Sequence, residues 1–101
     1  MRVRYTPRAF ADREDIFEYI NQRNPRAARE VKAFIANRIA RLGDTPVRHR
    51  MIATLGVHAL YLGRYPYIVY YRAGRDEIAI VHIRHAARRP WQGEGGIACV
   101  R

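Results

Sequence analysis

Residues 67–85 read YIVYYRAGRDEIAIVHIRH, and this stretch decides the fold. β-Branched and aromatic residues fill two runs, Tyr67 to Arg72 and Glu77 to His85, as is typical of β-strands. Between them, Ala73-Gly74-Arg75-Asp76 is a short connection of turn-forming residues, which makes the two strands antiparallel neighbours. The sequence therefore predicts a β-hairpin at this position.

A further strand is predicted over Ala59 to Arg64, so that three antiparallel strands follow one another along the chain. Side-chain alternation in the last of them predicts two faces. One face would carry Ala79, Val81 and Ile83, and the other Ile78, Ile80, His82 and Arg84. Because polar residues gather near the end of this strand, His82 is predicted to face solvent.

Upstream of these strands, apolar residues recur at helical spacing. Arg2 to Tyr5 alternates charged and bulky residues and predicts a short first strand. Thr6-Pro7 then supplies an N-cap followed by a proline in the first helical position, which predicts a helix of about four turns. Its apolar stripe is predicted to comprise Phe10, Ile16, Phe17 and Ile20. Asp12 and Asp15 are expected in the first turns, where negative charge suits the helix dipole.

The same cap-then-proline signal, Asn24-Pro25, predicts the start of a second helix. Its apolar stripe contains Ala27, Ala28, Val31, Phe34, Ile35, Ile39 and Leu42. Gly43 is expected to end it, and the residues from Asp44 to Gly56 are expected to form a loop. The connection from Asn21 to Asn24 is short enough to require an antiparallel helix hairpin.

Together these elements predict an α+β fold: an N-terminal strand, an antiparallel helix hairpin and a mainly antiparallel sheet of about four strands. The helices would cover one face of the sheet, and the first strand would join it beside a later one. Residues 1–91 are predicted to form one domain, and residues 92–101, which are rich in glycine, a flexible C-terminal tail.

The charge of the chain indicates the kind of partner that it binds. The formal net charge is +10, and Lys32 is the only lysine among 19 basic residues. Such a charge attracts anionic partners, either nucleic acid or an acidic polypeptide. Cys99 is the only cysteine, which excludes an internal disulfide and a cysteine-based metal site. With no long apolar run, we expect a cytoplasmic protein with no cofactor and no metal.

Four stretches, in this order, resemble the RelE/ParE superfamily of toxins. Residues 63–72, GRYPYIVYYR, are similar to the central strand of that superfamily, and residues 78–88, IAIVHIRHAAR, to the ParE-type ending. The opening Tyr5-Thr6-Pro7 and a first helix that carries Asp15-Ile16 and Tyr19-Ile20 also fit. The likeness covers residues 2–91, with the ParE branch nearer than the RelE branch.

The resemblance implies the toxin of a type II toxin–antitoxin system that inhibits DNA gyrase and is neutralised by a cognate antitoxin. That antitoxin is expected to be acidic and ParD-like, and DNA would be bound only through it. The residues expected to bind the antitoxin are Arg64, Tyr65, Tyr67 and Arg72. Those expected to bind the target are Arg84, His85, Arg88, Arg89 and Trp91. Arginine and tryptophan are both enriched at binding hot spots.

Two other functions stay open. A RelE-like ribosome-dependent mRNA endonuclease would place arginines in the central strand and just beyond the last strand, but the matching positions here are Tyr67 and Ala86. His85 is the only candidate general base, and it could equally cap backbone groups at the strand end. A basic nucleic-acid-binding module with no toxin role ranks below both, because the sequence lacks a helix-turn-helix with a polar recognition helix and a zinc site.

Overall fold

A computed structural model describes residues 2–44 and 50–87, apart from the side chain of Arg50. The elements are β1 (Arg2–Tyr5), α1 (Pro7–Asn21), α2 (Pro25–Asp44), β2 (Arg50–Ile52), β3 (Val57–Tyr61), β4 (Tyr67–Ala73) and β5 (Glu77–His85). The predicted order of one strand, two helices and a series of strands is confirmed. The prediction of a loop from Asp44 to Gly56 is wrong in one respect, because this segment contains the three-residue strand β2. Such a short strand gives no periodic signal in the sequence.

The strands form one sheet in the order β1-β5-β4-β3-β2. β1 runs parallel to β5, and the other pairs are antiparallel. The α+β class, the mainly antiparallel sheet and the place of the first strand beside a later one are therefore confirmed, with five strands instead of about four. β3 ends at Tyr61, earlier than predicted, since Gly63 adopts a left-handed φ of 80° that breaks the extended backbone.

A β-bulge in β5 changes which side chains share a face. Tyr70 lies opposite His82, whereas Tyr71 lies opposite Ile80, so Val81 has no partner residue on β4. As a result, Ile83 packs in the same cluster as Ile80, and Val81 packs in a second cluster with Tyr70. The predicted grouping of Val81 with Ile83 is therefore wrong, because strict alternation does not hold across a bulge.

Helix α1 begins as predicted but turns a different face inward. The Thr6 hydroxyl accepts a hydrogen bond from the Ala9 amide at 3.1 Å, which caps the helix. Ala9 is fully buried, whereas Phe10 is 51% exposed and carries the Arg13 guanidinium over its ring. The assignment of Phe10 to the buried stripe is therefore wrong, because the small Ala9 holds that position. The first turn contains no acidic residue, so the predicted dipole role of Asp12 and Asp15 is also wrong.

Helix α2 supplies most of the helical contribution to the core. The Asn24 side chain accepts a hydrogen bond from the Ala27 amide, as expected of an N-cap. The buried apolar residues of α2 are Ala28, Val31, Ile35, Ile39 and Leu42. Gly43 is buried within the last turn, and the helix continues to Asp44, so the prediction that Gly43 ends it is wrong.

The main core lies between the helices and one face of the sheet. It joins residues of both helices to Leu60, Val69, Tyr71, Ile78, Ile80 and Ile83 of the strands. A smaller cluster of Val57, Tyr70 and Val81 lies on the opposite face. We call these two sides the helix face and the distal face of the sheet.

Replacing Ile35 by alanine tests the placement of this core. Ile35 is 1% exposed, and a large-to-small change at such a position costs about 2–5 kcal/mol of unfolding free energy. Phe10→Ala, at an exposed site on α1, should cost under about 1 kcal/mol, mainly from the lost cation–π contact. Urea unfolding of both variants measures the difference. A larger loss for Phe10→Ala than for Ile35→Ala would contradict this assignment of the core.

Candidate functional site

The edge of β5 loses its strand partner halfway along its length. β1 pairs with β5 only as far as Tyr5 opposite Ile80. The Thr6 amide then donates to the Ile80 carbonyl at 2.9 Å, and the Thr6 hydroxyl to the Val81 carbonyl at 3.4 Å. From this point the chain enters α1, so the remaining backbone of β5 on that side must find other partners.

Asp12 of α1 supplies one of those partners. Its Oδ2 accepts a hydrogen bond from the Ile83 amide at 3.0 Å and lies 2.6 Å from Nδ1 of His82. Its Oδ1 accepts from Nε of Arg8 at 3.4 Å. Because this carboxylate acts as an acceptor towards all three groups, Nδ1 of His82 carries the hydrogen of their shared bond. One carboxylate thus replaces a strand at the edge and fixes α1 against β5.

The position of His82 is the reverse of the sequence prediction. Its side chain was expected to face solvent, but His82 is 7% exposed. The bulge at Val81 breaks the strict alternation and leaves His82 opposite Tyr70, on whose ring it stacks with centroids 5.7 Å apart and an interplanar angle of 10°. The hydrogen bond to a carboxylate offsets the cost of burying this polar ring.

Arg84 stabilises the end of β5 through hydrogen bonds on the distal face. Its Nε donates to the Tyr70 hydroxyl at 2.7 Å, and its Nη1 donates to the carbonyls of His85 and Ala86 at 3.0 and 3.4 Å. These bonds tie the guanidinium to the turn that follows the strand. The structure therefore gives Arg84 a structural role in addition to its positive charge.

His85 and Tyr67, predicted to bind the target and the antitoxin respectively, meet at the end of the β4–β5 hairpin. They lie opposite each other, with ring centroids 5.4 Å apart. The Ala86 amide donates to the Pro66 carbonyl at 2.7 Å, which closes this end of the sheet. Nδ1 of His85 accepts a hydrogen bond from the Ala87 amide at 3.0 Å. His85 thus caps the backbone, the alternative that the sequence left open.

The segment before β4 brings Arg64 and Tyr65 to the same end of the sheet. The Tyr65 ring packs edge-on against Phe34 of α2 with centroids 5.1 Å apart, and the Arg64 guanidinium lies over Tyr65 at 5.5 Å. We call the region formed by Arg64, Tyr65, Tyr67, Arg84 and His85 the rim. It unites three of the four residues predicted to bind the antitoxin with two predicted to bind the target.

The other predicted site residues lie elsewhere. Arg72 is exposed and pairs with Ala79 at the opposite end of β4, so it is not part of the rim. Arg88, Arg89, Trp91 and the predicted tail, residues 92–101, lie outside the described residues.

Neither a metal-binding group of side chains nor a membrane-spanning helix is found in residues 2–44 and 50–87. In these ranges no three histidine, cysteine, aspartate or glutamate side chains are grouped in a way that could hold a metal ion. No helix in them combines the length and the apolar character needed to cross a bilayer.

Sequence reasoning missed the roles of Asp12 and of Arg38 at this end of the molecule. Asp12 lies three residues after the buried Ala9 and four before Ile16, so helical spacing places an acid within the inward stripe. A charged residue at such a position is a signal of a buried partner. Arg38 donates to the Leu62 carbonyl at 3.2 Å, a contact between distant segments that no local pattern announces.

The sequence matches one protein-family profile over residues 3–90, described as "ParE toxin of type II toxin-antitoxin system, parDE". The chain belongs to the ParE toxin family. This membership confirms the resemblance to the RelE/ParE superfamily and its ParE branch, and it makes the protein the toxin of a type II toxin–antitoxin system, for which an antitoxin is the partner.

Individual relatives agree with the ParE family assignment. The chain is 34% identical over 85 residues to Y4kP of Sinorhizobium fredii, a protein named as a candidate toxin, covering 84% of this chain and 88% of the relative. It is 36% identical over 87 residues to "Toxin RelE2" of Caulobacter vibrioides, covering 86% and 97%. In a solved structure titled "Chromosomal ParDE TA system from P. aeruginosa", one chain is similar with a TM-score of 0.75 at 25% identity, covering 84% and 95%.

Asp12→Ala tests whether the carboxylate at the β5 edge holds this ParE-family toxin together. The substitution leaves the Ile83 amide and the His82 ring without their acceptor and should cost about 3 kcal/mol of unfolding free energy. Asp15→Ala, at an exposed position one turn further along α1, is the matched control and should cost under about 0.5 kcal/mol. Equal unfolding midpoints for the two variants in urea would contradict the assignment.

Proposed function

We propose that this ParE-family toxin poisons DNA gyrase by binding it, without catalysing a reaction itself, and that its antitoxin neutralises it by covering the rim. The observation that carries the proposal is the engagement of His85, the candidate general base, and of its neighbour Arg84 in backbone hydrogen bonds. A binding mechanism needs a rigid, charged surface and no proton transfer, and the rim offers such a surface.

The state of His85 favours binding over catalysis. A general base needs an unoccupied nitrogen lone pair within reach of the proton that it removes. Nδ1 of His85 accepts the Ala87 amide, so in the neutral ring the other nitrogen, Nε2, carries the hydrogen and has no lone pair to offer. In this arrangement His85 can donate a hydrogen bond to a partner but cannot take up a proton without breaking the cap.

The two positions that match the RelE arginines support the same conclusion. Tyr67 lies opposite His85, and Ala86 follows that histidine, so both positions lie at the open end of the hairpin, where the Ala86 amide donates to the Pro66 carbonyl. Neither carries a positive charge for a phosphate that gains charge during cleavage. The arginine that precedes His85 in the chain, Arg84, donates instead to Tyr70 and to two backbone carbonyls.

The antitoxin would have to be elongated to contact all of the residues proposed for it. Tyr67 and Arg72 lie five positions apart along β4, roughly 17 Å for an extended strand. A partly disordered acidic segment that orders on binding can span such a distance, and the net charge of +10 attracts it. The same segment would reach Arg64 and Tyr65 at the rim.

A RelE-like endonuclease is the second candidate, favoured by the 36% identity to "Toxin RelE2". It would require cations from Arg64 of the rim, or from Arg88 and Arg89, which lie outside the described residues, to serve the positions of Tyr67 and Ala86. It also requires His85 to release the Ala87 amide. A shift of even about 1 Å in such groups can cost a factor of about 100 in rate.

Two assays in parallel separate the candidates. The purified toxin is added to gyrase with supercoiled plasmid, and to a translating ribosome with labelled message. We expect trapped plasmid breaks that disappear when purified antitoxin is added first, with an intact message. Cleaved message with unbroken plasmid would overturn the gyrase proposal, and breaks that antitoxin does not prevent would overturn neutralisation.

His85→Asn distinguishes a cap from a general base. The amide oxygen of the shorter side chain can accept the Ala87 amide in place of Nδ1, so growth arrest on induction should stay within a few-fold of the wild type. Loss of a general base instead lowers the rate by about 100- to 10,000-fold. The induction level needed for growth arrest is the measurement, and thermal unfolding confirms that the variant folds. Complete loss of toxicity in a folded variant that still binds gyrase would favour catalysis.

The target-binding role of Arg88, Arg89 and Trp91 is tested by replacing all three with alanine. We expect growth arrest to be lost, because hot-spot arginine and tryptophan side chains contribute about 2 kcal/mol or more each to binding. Replacement of three exposed residues away from the rim, Arg26, Arg29 and Tyr19, is the control. Full toxicity in a soluble triple variant would contradict this part of the proposal.

A further inference from the structure

Two arginines from separate elements meet on one aromatic ring at the seam between α2 and the sheet. Arg38 comes from α2, and Arg64 from the connection between β3 and β4. Their guanidinium carbons lie 5.8 and 5.9 Å from the centroid of the Phe34 ring. Arg64 also lies over Tyr65, whose ring packs edge-on against Phe34. Cation–π contacts of this kind hold a guanidinium in place and leave its N–H groups directed outward.

Backbone hydrogen bonds make this arrangement rigid. The Leu62 carbonyl accepts both the Arg64 amide at 2.9 Å and Nη1 of Arg38 at 3.2 Å. Gly63 takes the left-handed conformation that the tight turn needs, with φ 80°. The Tyr67 amide donates to the Tyr65 carbonyl at 2.8 Å. A site that is organised before binding loses less conformational entropy when its ligand arrives.

The charges of both arginines are uncompensated within the part of the chain that the structure describes. There, ion pairs join acidic side chains to Arg4, Arg8, Arg13, Arg26 and Lys32. Neither Arg38 nor Arg64 has a carboxylate within 4.0 Å among residues 2–44 and 50–87. Arg64 is exposed and Arg38 is partly exposed, so donors of both can reach a ligand. Two guanidinium groups that contact the same ring and carry uncompensated charge attract an anion.

We propose that Arg38 and Arg64 form a clamp that binds an acidic side chain of the antitoxin. This inference rests on the proposed function, and it adds Arg38 of α2 to the antitoxin surface and names the chemistry of the contact. Carboxylates fit the planar fork of guanidinium donors, and the resulting hydrogen bonds are short and strong. The clamp stands on the helix face, whereas Arg84 lies on the distal face beside Tyr70.

The aromatic rings of the clamp favour a peptide over a nucleic acid. Single-stranded nucleic acid is held by stacking its bases on aromatic faces. Here the two guanidinium groups lie over Phe34 and Tyr65, and each ring is half-buried in its contact with the other. The clamp therefore offers charge and hydrogen-bond donors, which a carboxylate needs, and offers no uncovered stacking platform.

The test measures the dissociation constant of the purified antitoxin for the intact toxin by calorimetry. The double variant Arg38→Ala/Arg64→Ala is compared with Arg29→Ala/Arg75→Ala, which removes the same charge from exposed sites on α2 and the β4–β5 turn. We expect the constant to rise about 10- to 100-fold for the clamp variant, from the loss of charge-assisted hydrogen bonds. The control should stay within about 3-fold of the wild type.

Each of the other possible results would contradict one part of the proposal. An equal rise of the dissociation constant for both double variants would show that only the overall charge matters. An unchanged dissociation constant for the clamp variant would show that Arg38 and Arg64 do not bind the antitoxin. Weaker binding of a single-stranded oligonucleotide by the clamp variant, with antitoxin binding unchanged, would assign the clamp to nucleic acid. A wild-type toxin that does not bind the antitoxin would overturn the proposed neutralisation before any substitution is made. If Arg38→Ala fails to fold, Arg64→Ala alone carries the same test.

Discussion

The carboxylate of Asp12 satisfies a requirement that β1 cannot meet. β1 ends beside Ile80, and without another acceptor the buried amide of Ile83 would remain unpaired at a cost of about 1–3 kcal/mol. Asp12 accepts that amide and the ring of His82 together, which joins the first helix to the last strand. The helix hairpin is thereby held against the sheet, and the end of β5 is held in one position.

The contact of Asp12 with His82 and Ile83 also makes the rim rigid. His82, which is bound to Asp12, lies opposite Tyr70 next to the bulge at Val81, and the two rings stack. Tyr70 in turn accepts a hydrogen bond from Arg84, which holds the turn beyond the strand together with the cap from His85. The residue types that resemble a nuclease centre are thus engaged in maintaining the backbone. This arrangement supports the proposal that the toxin acts by binding.

Local patterns in the sequence predicted the hairpin, both helix caps, the α+β class and the family. They could not predict the bulge, since strict alternation is the only rule that a single strand displays, and the faces of Ile83 and His82 were misassigned as a result. Phe10 was predicted to lie in the core because a large apolar residue at helical spacing gives a stronger apolar signal than its small neighbour Ala9. The contact of both Arg38 and Arg64 with Phe34 depends on tertiary packing between distant segments, so the clamp was visible only in the structure.

The nitrogen resonances of the two histidines test the central claim most directly, because Asp12 and the Ala87 amide impose opposite hydrogen positions on their rings. A long-range ¹H–¹⁵N spectrum at mildly alkaline pH should show His82 with its hydrogen on Nδ1, donated to Asp12, and His85 with a bare Nδ1 and its hydrogen on Nε2. A His85 ring with its hydrogen on Nδ1 and a bare Nε2 would contradict the account, since that ring would be able to act as a base.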